Sequence, residues 1–286
     1  MRTEPTHPYE ILDVFTAVPL EGNPLAVFTE AELIPSRLMQ AAARELHLSE
    51  TVFLLPGDGA CDAVARIFTP AAELPFAGHP VLGAAFVVGQ RQDLDTVRLL
   101  TGSGIVPVRL EREHGQIVYG EMEQPLPTVS GYENAQALLA ALGVQEAALP
   151  VELYVNGPEH VMVALDSPEQ VAALTPNHFE LAKFKGNLTI SCFAMAGDGA
   201  VKTRVFCPGV GVIEDPATGS AAGPLALHLA RHGWIEFGQT LEITQGVELK
   251  RPSRLVSRVD GARDRTERIV VGGPAVFVAH GHFRLA

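Results

Sequence analysis

A five-residue motif that occurs twice sets the strongest limit on how this chain can fold. Arg66-Ile67-Phe68-Thr69-Pro70 returns 138 residues later, nearly half of the 286-residue chain, as Arg204-Val205-Phe206-Cys207-Pro208. Each copy is typical of a β-strand and a turn, and each is followed by a glycine, Gly78 or Gly219, before an apolar run. Similar elements surround both copies, so the pattern predicts two related halves.

The apolar run after each glycine predicts a buried helix. His79–Val88 has almost no polar face, and Ser220–Ala230 carries only His228 besides its terminal residues. A helix that is apolar all round is enclosed by protein. We therefore expect an α+β fold of two pseudo-symmetric, β-rich halves, each wrapped around one central helix. The free N–H groups at the two helix starts would then lie near a cleft between the halves and suit a small carboxylate.

The proline-rich segment Pro125-Leu126-Pro127 marks the predicted crossover between the halves. We expect residues 1–126 to form the N-terminal half, with the strand at 275–286 packed on it. Residues 127–274 would form the C-terminal half. Outside the repeat, Ser36–Leu46 has apolar residues at helical spacing behind a serine cap.

Composition argues against several classes of function. A formal charge of −12, with no cluster of Lys and Arg, disfavours nucleic acid as a partner. No 18-residue apolar stretch occurs and residues 1–13 lack a signal-peptide pattern, so no membrane association is expected. Three cysteines without metal-ligand spacing favour a reduced, cytoplasmic protein with no metal. Neither a GxGxxG motif nor a P-loop is present, so no nucleotide cofactor is expected.

Ser49-Glu50 directly precedes the apolar run Thr51–Leu55. One interpretation is a solvated glutamate at the start of a strand. The alternative is a carboxyl group held beside apolar side chains, whose desolvation raises its pKa toward the range useful for proton transfer.

Each helix start also carries candidate catalytic or binding residues. His79, between Gly78 and Pro80, is either a cap or an imidazole kept neutral by the positive end of a helix. In the second half, Asp215 precedes Gly219 and Ser220, which offer N–H groups and a hydroxyl to an anion. Acidic residues there are either ordinary caps or a second acid/base.

Several segments resemble one known family. They are Glu21-Gly22-Asn23-Pro24, Leu48-Ser49-Glu50, Phe68-Thr69-Pro70, Glu73 through Pro80, Asn156-Gly157-Pro158, Asp215 through Pro224, His228 through Gly233, Ile235 through Gln239 and Gln245 through Glu248. Together they resemble the PhzF isomerases of phenazine biosynthesis, and the resemblance runs nearly from end to end. That family has the diaminopimelate-epimerase-like fold.

The resemblance implies a cofactor-free isomerase of trans-2,3-dihydro-3-hydroxyanthranilic acid that moves a proton from C3 to C1. It assigns the proton shuttle to Glu50, and substrate-binding or acid/base roles to His79 and Asp215. The positions that surround the substrate match Ser49, Gly78, Gly219 and Ser220. The racemases of this fold carry catalytic cysteines at the two helix starts. Those starts hold no cysteine here, which excludes a two-thiol mechanism.

The resemblance also implies a homodimer. The apolar segments Ile269–Val271 and Ala275–Ala279 are predicted strands that return to the opposite half or join the sheet of a partner. Two alternatives for function stay open at this point. One is an isomerase of the same fold that acts on another small carboxylic acid, and the other is a non-catalytic protein that binds a carboxylated metabolite.

Overall fold

The computed structural model describes residues 6–184, 186 and 188–285. Contacts divide the chain into two compact units, 1–122 with 272–286, and 123–271. We call these unit 1 and unit 2. The boundaries predicted from the sequence lie after residues 126 and 274. Among the described residues, no helix is both long and apolar enough to cross a membrane.

Unit 1 contains the helices and strands up to Gln124, and the last of these strands extends two residues past the unit boundary at residue 122. The elements are β1 (Thr6–Val14), β2 (Asn23–Phe28), α1 (Ser36–Leu46), β3 (Glu50–Pro56), β4 (Ala63–Phe68), β5 (Glu73–Leu74), α2 (Gly78–Gln92), β6 (Thr96–Thr101), β7 (Gly104–Glu113) and β8 (Gln116–Gln124). The last strand of the chain, which is β18 in chain order (Ala275–Arg284), pairs antiparallel with β1 in the same chain.

Unit 2 repeats this arrangement. Its elements are β9 (Thr128–Gly131), α3 (Ala135–Leu142), β10 (Glu152–Val155), β11 (Glu159–Ala164), α4 (Pro168–Ala173), α5 (His178–Leu181), β12 (Leu188–Gly197), β13 (Ala200–Cys207), β14 (Val212–Asp215), α6 (Gly219–Arg231), β15 (Thr240–Gln245), β16 (Ser253–Ala262) and β17 (Arg265–Gly273). A single 3₁₀ turn, Pro208–Val210, separates β13 from β14.

Seven strand pairings of unit 1 have a counterpart of the same direction in unit 2. In unit 1, β2–β3 and β4–β6 are parallel, while β1–β2, β3–β4, β4–β5 and β6–β7 are antiparallel. In unit 2, β11–β12 and β13–β15 are parallel, while β10–β11, β12–β13, β13–β14 and β15–β16 are antiparallel. Even β18 on β1 has a counterpart in β9 on β10. The repeated motif therefore marks a repeated topology, as the sequence predicts.

The two predicted central helices are confirmed as buried. Every residue of α2 from Gly78 to Gly89, and of α6 from Gly219 to Ala230, is buried. In unit 1, α2 packs against β1, β2, β3, β4, β6 and β7. Small residues allow this close packing, since a Cβ atom on Gly83 would lie 2.5 Å from Leu25 Cδ2 and 2.9 Å from Val14 Cγ2.

The repeated motif has a structural role in both units. Arg66 makes two hydrogen bonds of 2.7 Å to the carboxylate of Glu73, and Arg204 makes bonds of 2.9 and 2.8 Å to Glu214. Each guanidinium also lies over the phenylalanine of its own motif, Phe68 or Phe206, at 5.1 and 5.0 Å. These acids therefore fasten the turn before each central helix to the preceding strand.

The two ion pairs differ in their contribution to stability because their burial differs. The Arg204 and Glu214 side chains are each only 9% exposed, whereas those of Arg66 and Glu73 are 26% and 43% exposed. An exposed pair contributes at most ~1 kcal/mol. Removing one partner of a buried pair costs about 3–5 kcal/mol, since the other charge is left desolvated.

The predicted serine cap of α1 is wrong. The N-cap is Pro35, and no side chain caps this helix start. Ser36 is the first helical residue, and its hydroxyl instead accepts a hydrogen bond of 2.8 Å from Arg66 Nη1. Proximity to the arginine of the repeated motif outweighs the local preference of serine for capping.

Candidate active site

Unit 1 brings Glu50 and His79 together. Glu50 is the first residue of β3 and lies opposite Leu25 of the parallel neighbour β2. Its Oε2 lies 3.5 Å from Nδ1 of His79, with the glutamate side chain 16% exposed and the histidine 3% exposed. A largely desolvated carboxylate therefore lies beside a buried imidazole. Ser49, just before the strand, and Gly78, the first residue of α2, adjoin this pair in the chain.

The environment of His79 keeps its imidazole neutral. Burial lowers its pKa from 6.5 to about 3, because a desolvated imidazolium is costly. The side-chain amide Nδ2 of Asn23 lies 3.2 Å from Nδ1 of His79. Donation from this amide places the imidazole proton on Nε2, which is buried and has no hydrogen-bond partner among the described residues. His79 is thus a neutral hydrogen-bonding group rather than a cation.

Unit 2 holds Asp215 in a rigid turn. Asp215 ends β14 and is 7% exposed, and its Oδ2 accepts a 2.7 Å hydrogen bond from the Thr218 hydroxyl. Gln245, which ends β15, donates from Nε2 to the Asp215 carbonyl at 2.8 Å and to the Thr218 hydroxyl at 3.0 Å. Its Oε1 accepts from the Thr218 N–H at 3.1 Å. One buried amide thereby fixes the whole turn before α6.

Two further amides support the start of α6. The Gly219 carbonyl accepts a 2.8 Å bond from Gln124, and the Ser220 carbonyl accepts a 3.0 Å bond from Asn156. In a regular helix, the Ser220 carbonyl would accept from the N–H four residues later, but that residue is Pro224 and has none. Asn156 therefore replaces a hydrogen bond that the helix cannot make by itself.

The predicted site residues thus form one set in each unit. Ser49, Glu50, Gly78 and His79 belong to unit 1, and Asp215, Gly219 and Ser220 belong to unit 2. That both sets act on one ligand, as the cleft in the predicted fold requires, stays a prediction.

Sequence reasoning assigned no role to the supporting amides, namely Asn23, Gln124, Asn156 and Gln245. The buried asparagines occupy corresponding turns, Asn23 at the start of β2 and Asn156 just before β11, and each supports the second residue of a central helix, His79 or Ser220. The sequence feature that could have pointed to these two asparagines is the recurrence of Asn-Pro and Asn-Gly-Pro next to matching strands.

These groups suit proton transfer and carboxylate binding. Glu50 is a carboxylate that can take up or deliver a proton, and the first N–H groups of a buried helix are anion donors without an intrahelical partner. Thiol chemistry is disfavoured, since Cys61, Cys192 and Cys207 are buried and burial raises the pKa of Cys192.

Comparisons with known proteins agree with this picture. The sequence profile of the family described as phenazine biosynthesis-like protein, PhzC-PhzF, matches residues 12–281. A curated trans-2,3-dihydro-3-hydroxyanthranilate isomerase from Pseudomonas fluorescens is 47% identical over 275 residues, which cover 96% of this chain and 98% of that protein.

Two solved structures support the fold. A PhzF-family phenazine biosynthesis protein from Bacillus anthracis has a TM-score of 0.85 at 23% identity, covering 98% of this chain and all of that one. A hydroxyproline epimerase from Agrobacterium vitis has a TM-score of 0.68 at 15% identity, covering 99% of this chain and 92% of that one. Both the resemblance and the α+β fold predicted from the sequence are thereby confirmed.

Proposed function

Because the chain belongs to the phenazine biosynthesis-like PhzC-PhzF family, we propose that it is a trans-2,3-dihydro-3-hydroxyanthranilate isomerase. Support comes from a named isomerase that is 47% identical over nearly the full length of both chains. The structural observation that carries the proposal is the Glu50 carboxylate, mostly desolvated and 3.5 Å from the buried, neutral His79. A carboxylate that is shielded from water in this way can act as a base toward a proton of the substrate.

In the proposed reaction, Glu50 removes the proton from C3 of the substrate. The electrons of that C–H bond shift the ring double bonds, and a proton is delivered at C1, so the enol formed is an isomer of the substrate and tautomerises to a ketone. The neutral His79 holds the substrate by a hydrogen bond without forming an ion pair that would weaken Glu50 as a base. Proton transfer of this kind needs no cofactor.

The proposed role of unit 2 is to bind the substrate carboxylate and to provide a second acid/base. The N–H groups of Gly219 and Ser220 at the start of α6, with the Ser220 hydroxyl, are the donors for the carboxylate. Asp215 is the second acid/base, and Ser49 and Gly78 line the substrate on the side of unit 1. The turn held by Gln245 is preorganised, so little free energy is spent on ordering it when substrate binds.

We also propose that the enzyme acts in the cytoplasm as a homodimer. Three buried cysteines that form no disulfide are consistent with a reducing compartment.

Glu50→Gln provides the test of the catalytic role. The amide keeps the size of the side chain but cannot accept the proton, so turnover should fall by at least ~10²–10⁴-fold. Binding of the substrate analogue 3-hydroxyanthranilate, followed by calorimetry, should remain within a few-fold of the wild-type value. Glu73→Gln is the matched control, because that carboxylate only fastens a turn.

Three outcomes distinguish the proposal from its rivals. A Glu50→Gln variant that retains more than a tenth of the activity would remove Glu50 from the mechanism. A wild-type protein that binds the analogue but turns over no carboxylic acid of a panel would be a binding protein. Turnover of another small acid in preference to the dihydro-hydroxyanthranilate would indicate a different isomerase of this fold.

A further inference from the structure

A second cluster of titratable side chains lies at the opposite end of α6 from the candidate site. Glu152 and Tyr154 come from β10, and His228, Arg231 and His232 come from the last turn of α6 and its C-cap. His228 is nine residues after Gly219, which is about 14 Å along a helix axis. The proposed reaction makes no use of this cluster.

The cluster converges on one atom. Glu152 Oε2 lies 2.8 Å from the Tyr154 hydroxyl, 2.9 Å from Arg231 Nη1, and 3.1 Å from both His228 Nδ1 and His232 Nε2. Two donors, the Tyr154 hydroxyl and Arg231, already match the two lone-pair directions of this oxygen, and two imidazole nitrogens lie against it as well. The Tyr154 hydroxyl also lies 3.1 Å from His228 Nδ1 and accepts a 2.8 Å hydrogen bond from Arg231 Nη1, so the five side chains form one polar network.

The three ligand-type atoms have the spacing of a metal site. Glu152 Oε2, His228 Nδ1 and His232 Nε2 all lie within 4.8 Å of one another. Zinc–nitrogen and zinc–oxygen bonds of ~2.0–2.2 Å in tetrahedral geometry put neighbouring ligand atoms about 3.3–3.5 Å apart. The two distances of 3.1 Å from the carboxylate oxygen to the imidazoles are close to this value.

The positions in the fold also favour chelation. His228 and His232 are four residues apart, so a helical turn puts both imidazoles on one face. Glu152 is supplied by the neighbouring strand β10, so two different elements hold the ligand side chains in place. His228 is fully buried, and the Glu152 and His232 side chains are 14% and 19% exposed, so an ion can reach the site from solvent.

We propose that Glu152, His228 and His232 form a binding site for a divalent transition-metal ion of the Zn²⁺ type. Two imidazole nitrogens and one carboxylate oxygen are a ligand set that Zn²⁺ favours and that Ca²⁺ and Mg²⁺ do not. The Tyr154 hydroxyl or a water completes the coordination. Arg231, whose side chain is 30% exposed, gives up its bond to Glu152 and turns toward solvent when the ion enters.

The ion in this site has a structural role. It joins the end of α6 to β10 and so fixes the helix whose other end carries Gly219 and Ser220. The site does not take part in the proton transfer, so this inference is independent of the proposed function.

Equilibrium dialysis of tag-free protein, stripped with a chelator and then exposed to Zn²⁺, tests the inference. We expect one ion per chain, a rise in the melting temperature with Zn²⁺, and a visible ligand-field spectrum when Co²⁺ replaces Zn²⁺. His232→Gln should weaken Zn²⁺ binding at least tenfold, and its partly exposed position makes it the variant most apt to fold. Glu152→Gln is the second variant.

The chain provides a matched control for adventitious binding. His280 and His282 are exposed and two residues apart in β18, so they share one face of that strand and offer a surface chelate. The double variant His280→Gln/His282→Gln should bind Zn²⁺ like the wild type. No ion bound at micromolar Zn²⁺, or binding lost in this double variant but kept in His232→Gln, would overturn the proposal.

Discussion

At the scale of single residues, burial controls the protonation of two histidines. Burial lowers the pKa of both His79 and His160 from 6.5 to about 3. Both side chains are therefore neutral at pH values near 7. For His79 this neutrality is useful, since an imidazolium 3.5 Å from Glu50 would stabilise the carboxylate and weaken it as a base.

The lowered pKa values of these two histidines predict how the stability of the protein depends on pH. In the unfolded chain their pKa is near 6.5, so the unfolded state binds more protons than the folded state between about pH 6.5 and pH 3. The free energy of unfolding should therefore fall as the pH falls through this window, by at most ~1.4 kcal/mol per pH unit for each histidine.

Urea unfolding at pH 7.5 and pH 5 measures this effect. His160→Gln should show a smaller loss of stability between the two pH values than the wild type, because the group at position 160 no longer titrates. His280→Gln, at an exposed position, should behave like the wild type. An unchanged loss in His160→Gln would mean that this histidine is not buried in its neutral form.

At the scale of the element, the proline within α6 makes the helix depend on a side chain from outside it. Pro224 cannot donate to the Ser220 carbonyl, and Asn156 does so at 3.0 Å instead. Asn156→Ala should destabilise the protein by about 1–3 kcal/mol, because it leaves a buried carbonyl without a donor. It should also weaken analogue binding, since Ser220 belongs to the proposed carboxylate site.

A double-mutant cycle isolates this contribution. Pro224→Ala restores the helical N–H, so Asn156→Ala should cost clearly less in that background than in the wild type, as measured by urea unfolding. Costs that are equal in the two backgrounds would show that Asn156 does not act through the Ser220 carbonyl.

The buried helices α2 and α6 show what the sequence could predict. Their lack of a polar face is a local pattern, so their burial followed from residue types alone, and the repeated motif predicted the duplicated topology. Short strands escaped prediction, since Glu73–Leu74 and Val212–Asp215 are too brief to show a period. Their place is fixed by β4 and β13, to which they pair.

Only part of the candidate site could be predicted from the sequence. Glu50, His79 and Asp215 stand in motifs that also mark strand ends and helix starts, so the sequence alone could name them as candidates. The supporting amides could not be predicted, because their hydrogen-bond partners are distant in sequence. Asn23 and His79 are 56 residues apart, and Gln124 and Gly219 are 95 apart. The serine cap failed for the same reason, since Arg66 reaches Ser36 from 30 residues away.

At the scale of the whole molecule, the quaternary state is a prediction that solution mass can test. Each unit exposes large apolar side chains, including Leu20 and Leu33 in unit 1 and Phe179 and Ile213 in unit 2, which are 60–83% exposed. Closed two-fold dimers are the commonest soluble oligomers. Light scattering over a concentration series should therefore give twice the 30.5 kDa mass of one chain. A mass that stays at 30.5 kDa would rule out the dimer.

The dimer should still contain complete sites within each chain. Glu50 and His79 belong to one half of the repeat, and Asp215 belongs to the other half of the same chain. Mixing the inactive variants Glu50→Gln and Asp215→Asn should therefore restore no activity. Activity regained on mixing would show that a site is shared between two chains.

The central claim, that this protein isomerises its substrate by a proton transfer through Glu50, is tested most directly by proton NMR in D₂O. Trans-2,3-dihydro-3-hydroxyanthranilic acid is incubated with the wild type and with Glu50→Gln, and the signal of the C3 proton is followed. We predict that the wild type removes this signal as product forms, while Glu50→Gln leaves it in place. Retention of the C3 proton with the wild type, or its loss at an equal rate with the variant, would contradict the account.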